Sequence, residues 1–124
     1  MSTILIVEDN EKNMKLVRDI LQHRGHRTLE AITGEEGARL AVDGNPDLVL
    51  MDIQLPDING IEAFRRIRAN VDTAAVPIVA FTASVTANDL SRIDAAGFDA
   101  FIGKPINLKE FVDTVRRVVE GGRK

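Results

Sequence analysis

The sequence predicts an α/β fold in which a five-stranded parallel sheet is covered by helices on both faces. Three observations predict it. Four short apolar runs lack polar alternation, as strands do when both sheet faces are covered: residues 4–7, 48–51, 78–81 and 100–102. Segments with the spacing of amphipathic helices separate these runs. Strand and helix alternate five times, which is typical of a doubly wound parallel sheet.

The first strand, residues 4–7, leads into a helix that we expect to begin near Asn13. Gly25 stands where this helix should stop, because glycine commonly follows the last turn of a helix. The stripe that faces the core is predicted to be Leu16, Val17, Ile20 and Leu21. Met14 precedes this stripe and is predicted to face solvent.

The second strand candidate, residues 27–31, is half polar, as expected for a strand at the edge of the sheet. Thr33 followed by Glu36 is a capping-box pattern and marks the start of the second helix. The third strand, residues 48–51, lies between a turn at Asn45 and Pro46 and a second turn over residues 56–60.

The third helix has an apolar stripe at the spacing of helical turns: Ile61, Phe64 and Ile67. The fourth helix, over residues 87–96, offers few large apolar side chains for packing: Leu90 and Ile93. Asn107 with Glu110 marks the start of the last helix, whose stripe is Leu108, Phe111, Val112, Val115 and Val119. Only a short polar tail follows, so we expect one domain over residues 1–124 with no output domain.

Composition disfavours several classes of function. The 16 basic and 19 acidic side chains leave a net charge of -3 at pH 7, which argues against nucleic acid as a partner because phosphate binding needs a basic face. The absence of cysteine excludes disulfides and thiolate metal sites. No apolar run could span a bilayer, and the first residues lack the features of a signal peptide. We therefore expect a cytoplasmic protein that binds neither nucleic acid nor membrane.

The two histidines and the basic end of the last helix suggest no site of their own. His23 and His26 do not follow predicted strands and are expected to be solvated or capping residues rather than a metal pair. Arg116 and Arg117 are expected to belong to a solvated helix face.

Polar side chains that can take part in binding or catalysis follow the predicted strands. Glu8 and Asp9 follow the first strand, and Asp52 follows the third. Thr82 stands at the end of the fourth strand, and Lys104 comes shortly after the fifth. Because ligands of open parallel sheets bind outside the carboxyl ends of the strands, we expect these side chains to form one site.

Three carboxylates in one place repel one another unless a cation or protons neutralise them. Oxygen ligands of this kind suit Mg²⁺, which keeps several waters and shares its coordination with phosphate. Phosphoryl transfer depends mainly on positioning and charge neutralisation, to which Lys104 would add a positive charge and Thr82 a hydrogen-bond donor. Each residue alone is more often a cap, turn or surface residue. Their combination predicts that Asp52 acts as a nucleophile toward phosphorus.

These motifs, in this order, resemble the receiver domain of two-component response regulators. The residues that carry the resemblance are Ile4 to Asn10, Met51 and Asp52 with Pro56 and Gly60, Thr82 and Ala83, and Lys104 and Pro105. The chain is most similar to single-domain regulators of the DivK type and to the receivers of hybrid kinases. The resemblance implies the flavodoxin-like strand order 2-1-3-4-5. It also implies a bacterial phosphorelay regulator that is not an enzyme beyond its own phosphorylation and dephosphorylation.

The resemblance further implies a metal site and a phosphoacceptor. Asp52 matches the phosphoacceptor, and Asp9 and Asp52 match direct ligands of Mg²⁺. Glu8 matches a residue that acts on the metal through water. Gln54 matches the position whose backbone carbonyl completes the protein's share of the metal site, and it could also tune the lifetime of the phosphoryl group, as could Ser84.

A switch is implied by the same resemblance. Lys104 matches the lysine that contacts the phosphoryl group, and its bond to Pro105 matches a cis peptide. Thr82 matches the hydroxyl that moves to bind a phosphoryl oxygen, and Phe101 matches the aromatic ring that swings inward behind it. Most members have tyrosine at the position of Phe101, so a readout through a ring hydroxyl is not expected here. The alternative is that Phe101 is simply a core residue of an edge strand.

The implied partners are a histidine kinase or a histidine phosphotransfer protein as donor, and a downstream protein as target; the oligomeric state stays open. Met14 could dock a histidine-bearing helix of the donor. One alternative function is a small aspartyl-phosphate phosphohydrolase, but such enzymes carry a second aspartate two residues after the nucleophile, where this chain has Gln54. Another is an interaction module that works without phosphorylation, which the intact acidic set disfavours.

Overall fold

The computed structural model describes residues 2–53, 55–82 and 87–121, and of residues 87–90 it describes only the backbone. The strands are β1 Thr3–Val7, β2 Arg27–Ala31, β3 Leu48–Asp52, β4 Ile78–Thr82 and β5 Ala100–Gly103. The helices are α1 Glu11–His23, α2 Gly34–Asp43, α3 Gly60–Ala69, α4 Ala87–Ala96 and α5 Leu108–Gly121. All neighbouring strands run parallel in the order β2-β1-β3-β4-β5, so the predicted fold class and strand order are confirmed.

The three central strands send alternate side chains into two apolar layers, because successive residues of a strand point to opposite faces. The layer under α1 and α5 receives Ile4, Ile6, Leu48, Leu50, Val79 and Phe81. The layer under α2 and α3 receives Leu5, Val7, Val49, Met51 and Ile78. Each of these side chains is at most 1% exposed. Burying one such side chain stabilises the fold by about 1.5–3 kcal/mol, so the two layers firmly hold the strands whose ends carry the polar residues.

Two of the predicted helix starts are confirmed by capping hydrogen bonds. The Thr33 hydroxyl accepts a hydrogen bond from the Glu36 N–H at 3.1 Å, at the start of α2. Asn107 Oδ1 accepts one from the Glu110 N–H at 3.0 Å, at the start of α5. Gly25 follows the end of α1 with φ of +88°, a conformation that glycine adopts without steric cost.

Helix α1 differs from the prediction in its start and in its buried face. It begins at Glu11, because Asn10 Oδ1 caps it by accepting a hydrogen bond from the Asn13 N–H at 3.1 Å. Met14 is only 5% exposed, whereas Leu16 is 45% exposed, so the predictions for both side chains were wrong. The buried residues of α1 are Met14, Val17 and Leu21. These three residues also have helical spacing. The apolar residues of α1 cover more than one face of the helix, so the sequence alone did not determine which face packs on the sheet.

Helix α5 shows a similar, smaller shift. Leu108 is 58% exposed, while Val118, which the predicted stripe omitted, is buried. In α4, Ile93 is buried, and the side chain of Leu90 lies outside the described residues. Among the helices that the structure describes, none combines the length and the apolar composition that crossing a membrane requires.

Candidate functional site

The three predicted carboxylates meet at the carboxyl edge of the sheet. Val7 of β1 pairs with Met51 of β3, so the next residues, Glu8 and Asp52, are neighbours. One carboxylate oxygen from each of Glu8, Asp9 and Asp52 lies within 4.8 Å of the others. Glu8 and Asp52 are buried, at 1% and 4% exposed, whereas Asp9 is exposed. The cluster therefore has a buried floor and one carboxylate at its mouth.

Local backbone contacts hold Glu8 in this position. Its N–H donates to the carbonyl oxygen of Ala31 at 3.0 Å, which continues the β1–β2 ladder by one residue beyond β1. Its carboxylate oxygen Oε2 accepts a hydrogen bond from the Asn10 N–H at 3.2 Å. Because Asn10 is also the N-cap of α1, Asp9 lies between the last residue of the ladder and the first turn of the helix.

Lys104 bridges the two buried carboxylates. Its Nζ atom donates to Glu8 Oε1 at 2.5 Å and to Asp52 Oδ2 at 3.1 Å. The Lys104–Pro105 peptide is cis, as predicted, and the Lys104 N–H donates to the Thr82 carbonyl oxygen at 3.0 Å. The ammonium also lies 4.6 Å from the centre of the Phe81 ring, which adds a cation–π attraction. Lys104 is thus held at the site by contacts with β3, with β4 and with the residue that follows β1.

The charges in this cluster do not balance, because three carboxylates face one ammonium. Burial raises the pKa of the Glu8 carboxyl above its ordinary value of 4.5. The hydrogen bond and the negative charge of Asp52 raise that pKa further, and Lys104 offsets only part of the rise. The buried floor of the site therefore favours an additional positive charge.

The donor set fits a hard divalent cation. All three side chains offer carboxylate oxygens, which Mg²⁺ prefers, and one of them faces solvent, so that retained waters have room. A cation there would compete with Lys104 for Glu8 and Asp52. The residues present therefore suit Mg²⁺ on the chemistry of their ligand atoms alone.

The remaining predicted residues flank this cluster. Thr82 ends β4 and is 1% exposed, and its register with Gly103 places it at the same edge. Phe101 is partly buried in β5, and it points away from Ile102, which lies in the layer under α1 and α5. Gln54 and Ser84 lie outside the described residues, so the predictions for them stay untested.

The loop after Asp52 folds back tightly on its own strand. The Gly60 N–H donates to the Ile53 carbonyl oxygen at 2.8 Å. A Cβ atom at Gly60 would lie 2.3 Å from the carbonyl oxygen of Asp52, a distance that no side chain tolerates. Glycine is therefore required at this position by the close approach of α3 to the backbone of Asp52.

Sequence reasoning missed Asp57, which lies in the same loop. Its carboxylate accepts hydrogen bonds from the Gly34 N–H at 2.8 Å and the Glu35 N–H at 3.0 Å, so it caps α2 from outside that helix. Desolvation alone would raise the pKa of Asp57, but backbone N–H groups, chiefly those of Glu35 and Gly34, lower it to about 2. An aspartate in a turn was visible in the sequence, but its partner lies 23 residues away.

Asp57→Asn is expected to flatten the acid limb of the stability profile. The pKa of Asp57 is lower in the folded state, about 2, than its ordinary value of 3.8. Its stabilisation is therefore present above about pH 4 and is lost as the pH falls through 2. Urea unfolding at several pH values should show that the wild type loses more stability than the variant between pH 4 and 2. Parallel profiles would contradict this role.

The sequence matches a known family along most of its length. Residues 4–116 match the family described as "Response regulator receiver domain". The "Polar-differentiation response regulator DivK" of Brucella ovis is 40% identical over 114 residues, which cover 92% of this chain and 93% of that protein. The same protein from Brucella anthropi is also 40% identical over 114 residues, with the same coverage.

Solved structures agree with the sequence match. The receiver domain of a sensor histidine kinase from Pseudomonas aeruginosa PAO1 superimposes on this chain with a TM-score of 0.90 and is 32% identical to it. The match covers 96% of this chain and 98% of that domain. That structure has a magnesium ion coordinated in its active-site cleft. A CheY-like receiver domain from Methanospirillum hungatei JF-1 has a TM-score of 0.88 over 98% of this chain and 95% of its own, at 24% identity, so it supports the fold alone.

Proposed function

Because this chain belongs to the response regulator receiver domain family and is a phosphorelay response regulator, we propose that Asp52 is the residue that accepts the phosphoryl group. The observation that carries the proposal is the buried position of Asp52, 3.1 Å from Lys104 and beside Glu8. A receiver is a regulator rather than a conventional enzyme. Its own phosphorylation and dephosphorylation are the only chemical steps proposed for it.

In that step, an oxygen of the Asp52 carboxylate attacks the phosphorus of a phosphohistidine on the donor protein. A P–O bond forms, the P–N bond breaks, and its electron pair returns to the imidazole. Lys104 already contacts Asp52, so its ammonium is in place to balance charge on the phosphoryl oxygens. The Asp52 carboxyl group stays at the end of β3 during this step, because the buried strand holds its backbone in place.

Glu8, Asp9, Asp52 and the backbone carbonyl of Gln54 are proposed to hold Mg²⁺. When bound, this ion would neutralise the carboxylates and the incoming phosphoryl oxygens. Support comes from the acidic cluster itself and from the magnesium ion in the related receiver domain. In this chain, Glu8 and Asp9 serve to position that charge next to Asp52 rather than to react.

The test is phosphoryl uptake by the purified protein from acetyl phosphate. With Mg²⁺, intact mass should rise by one phosphoryl group, and fragmentation should place it in the peptide that contains Asp52. Chelation of Mg²⁺ should prevent the gain. An unchanged mass with donor and metal in excess would contradict the proposal, and rapid turnover of varied phosphate esters would instead indicate a phosphohydrolase.

The donor is proposed to be a histidine kinase or a histidine phosphotransfer protein, and the output a second protein that binds the phosphorylated form. Met14 cannot contact the donor because it is buried. Leu16 takes its place as the exposed apolar residue of α1, the helix that begins two residues after Asp9 of the site. A histidine-bearing helix that packs on α1 would bring its phosphohistidine near Asp52.

Leu16→Glu is expected to slow transfer from a phosphohistidine protein about tenfold or more, since it places a charge in an apolar contact. Uptake from acetyl phosphate should stay unchanged, because the small donor needs no docking surface. Lys12→Gln on the same helix, which also lowers the charge by one unit, controls for a change of charge alone. Equal slowing with both donors would mean that Leu16 acts on the site itself and not through docking.

The switch is proposed to run through Thr82 and Phe101. An acyl phosphate on Asp52 carries about -1.5 to -2 charges in place of the single charge of the carboxylate, and it brings new acceptor oxygens. The Thr82 hydroxyl stands at the same buried edge. Movement of this hydroxyl toward the phosphoryl group would leave space for the Phe101 ring. The face formed by β5 and its neighbouring helices would then change shape for a partner.

Thr82→Ala is expected to separate phosphorylation from response. Uptake of the phosphoryl group should persist, while the gain in partner affinity on phosphorylation should shrink about tenfold, the value of one hydrogen bond to a charged group. Partner binding measured by calorimetry with both forms of each variant would show it. Thr82→Ser keeps the hydroxyl and should behave like wild type. A full gain in Thr82→Ala would rule out this route.

A further inference from the structure

A cleft of about 240 Å³ opens between α1 and α5, away from the acidic site. Its floor is apolar and includes Ile20, Phe111 and Val112, and its rim carries Arg24, His26 and Arg116. His26 immediately precedes β2, so the cleft lies at the amino end of the sheet. Glu8, Asp9 and Asp52 all lie at the opposite, carboxyl end.

His26 caps the end of α1, as one of the two expectations had it, because its backbone N–H donates to the Leu21 carbonyl oxygen at 3.1 Å; its side chain, however, is not simply solvated. It is partly buried, and its Nδ1 atom is buried with no hydrogen-bond partner. Burial lowers the pKa of its imidazole below the ordinary value of 6.5, so the ring is mainly neutral at pH 7. The neutral imidazole of His26 also lines the cleft, where it adds no charge of its own.

The rim of the cleft is positively charged. Within the described residues, the Arg24 guanidinium forms no ion pair, and Arg116 contacts Asp113 at 3.3 Å. The carboxyl end of α1 adds a partial negative charge near Arg24, which the full charge of the guanidinium exceeds. Two guanidinium groups above an apolar floor favour a ligand that carries a carboxylate on an apolar body.

We propose that this cleft binds a small amphipathic carboxylate, namely an aryl or branched aliphatic acid. Its apolar part would cover Phe111 and Val112, and its carboxylate would accept hydrogen bonds from Arg24 and Arg116. The cleft is smaller than the roughly 300–1,000 Å³ of drug-sized ligand sites, so the occupant is small and not a helix of a partner. This site is independent of phosphoryl acceptance on Asp52.

The probe is 3-phenylpropionate, titrated into the ¹⁵N-labelled full chain and followed by amide chemical shifts. We expect saturable shifts confined to residues 20–26 and 111–116, with a dissociation constant on the order of 1 mM, as suits a ligand of this size. The neutral isostere 3-phenylpropanol and acetate should each bind at least about tenfold more weakly, because each lacks one half of the recognition.

Three variants test the assigned contacts. Arg24→Gln should weaken binding about tenfold, while Arg117→Gln, a matched change on α5 outside the cleft, should not. His26→Phe keeps a ring of similar shape but removes the unpaired buried nitrogen, so it should raise the melting temperature. Shifts that do not saturate, equal binding of the alcohol, or equal affinities for the Arg24 and Arg117 variants would each overturn the proposal.

Discussion

Replacing Asp52 with asparagine is expected to abolish phosphoryl uptake. The amide has the shape of the carboxylate but no anionic oxygen that can form the acyl phosphate. Glu8 is not expected to replace it, since burial raises the pKa of the Glu8 carboxyl and its Oε2 atom already accepts a hydrogen bond from the Asn10 N–H. Asp9 is exposed at the mouth of the site, away from the buried position that Lys104 reaches.

Intact mass after incubation with Mg²⁺ and acetyl phosphate measures this effect. The matched control is Asp43→Asn, which changes an exposed aspartate at the end of α2 and should leave uptake at the wild-type level. Asp52→Asn should remain folded in thermal denaturation, since it removes one of two neighbouring buried negative charges. Residual uptake by the folded variant would mean that another side chain is the acceptor.

Lys104→Met is expected to be the most destabilising of the changes considered, at about 3 kcal/mol without metal. The Lys104 side chain is 12% exposed and contacts two carboxylates that are 0% and 5% exposed, and removing one partner of a buried ion pair costs about 3–5 kcal/mol. Methionine keeps apolar contact with the Phe81 ring. Protonation of Glu8 limits the loss, so the lower end of the range applies.

Urea unfolding in a chelating buffer tests this effect, with Lys15→Met as the control. Lys15 contacts Asp19 at 2.8 Å, but both side chains are more than half exposed, so its loss should cost no more than about 0.5 kcal/mol. Mg²⁺ should stabilise the Lys104 variant more than the wild type, because no ammonium competes for the carboxylates. Equal losses of unfolding free energy for the two lysine variants would contradict the inference that the site lacks positive charge.

The fold was predictable where the pattern had only one interpretation. The uninterrupted apolar runs of the central strands required cover on both faces, and the structure has it. Helix α1 was less determined, because Met14 and Leu16 are both apolar and lie on opposite edges of the possible stripe. Which of them is buried depends on how the helix is rotated against the sheet, and that rotation follows from contacts with α5 and the sheet rather than from the helix itself.

The sequence predicted which residues form the site but not how their side chains contact one another. Strand ends place Glu8, Asp52 and Lys104 at one edge once the sheet is parallel. The double contact of the Lys104 ammonium and its position over Phe81 depend on the path of the loop after β5. Asp57 was missed because its partner amides are remote in sequence, and one aspartate in a turn carries no signal about a distant helix.

The two apolar layers of this sheet have a consequence for strand alignment. In a sheet with one wet face, a one-residue slip would expose the core, so polarity enforces alignment. Here a one-residue slip of β3 would exchange one buried apolar face for the other, so the burial of apolar side chains alone cannot fix the register. Polar contacts at the two ends of β3 fix the register instead. Asp47 accepts a hydrogen bond from the Thr3 N–H at one end, and Asp52 accepts one from the Lys104 ammonium at the other. Asp52, the proposed phosphoacceptor, thus also helps to fix the alignment of β3 with its neighbours.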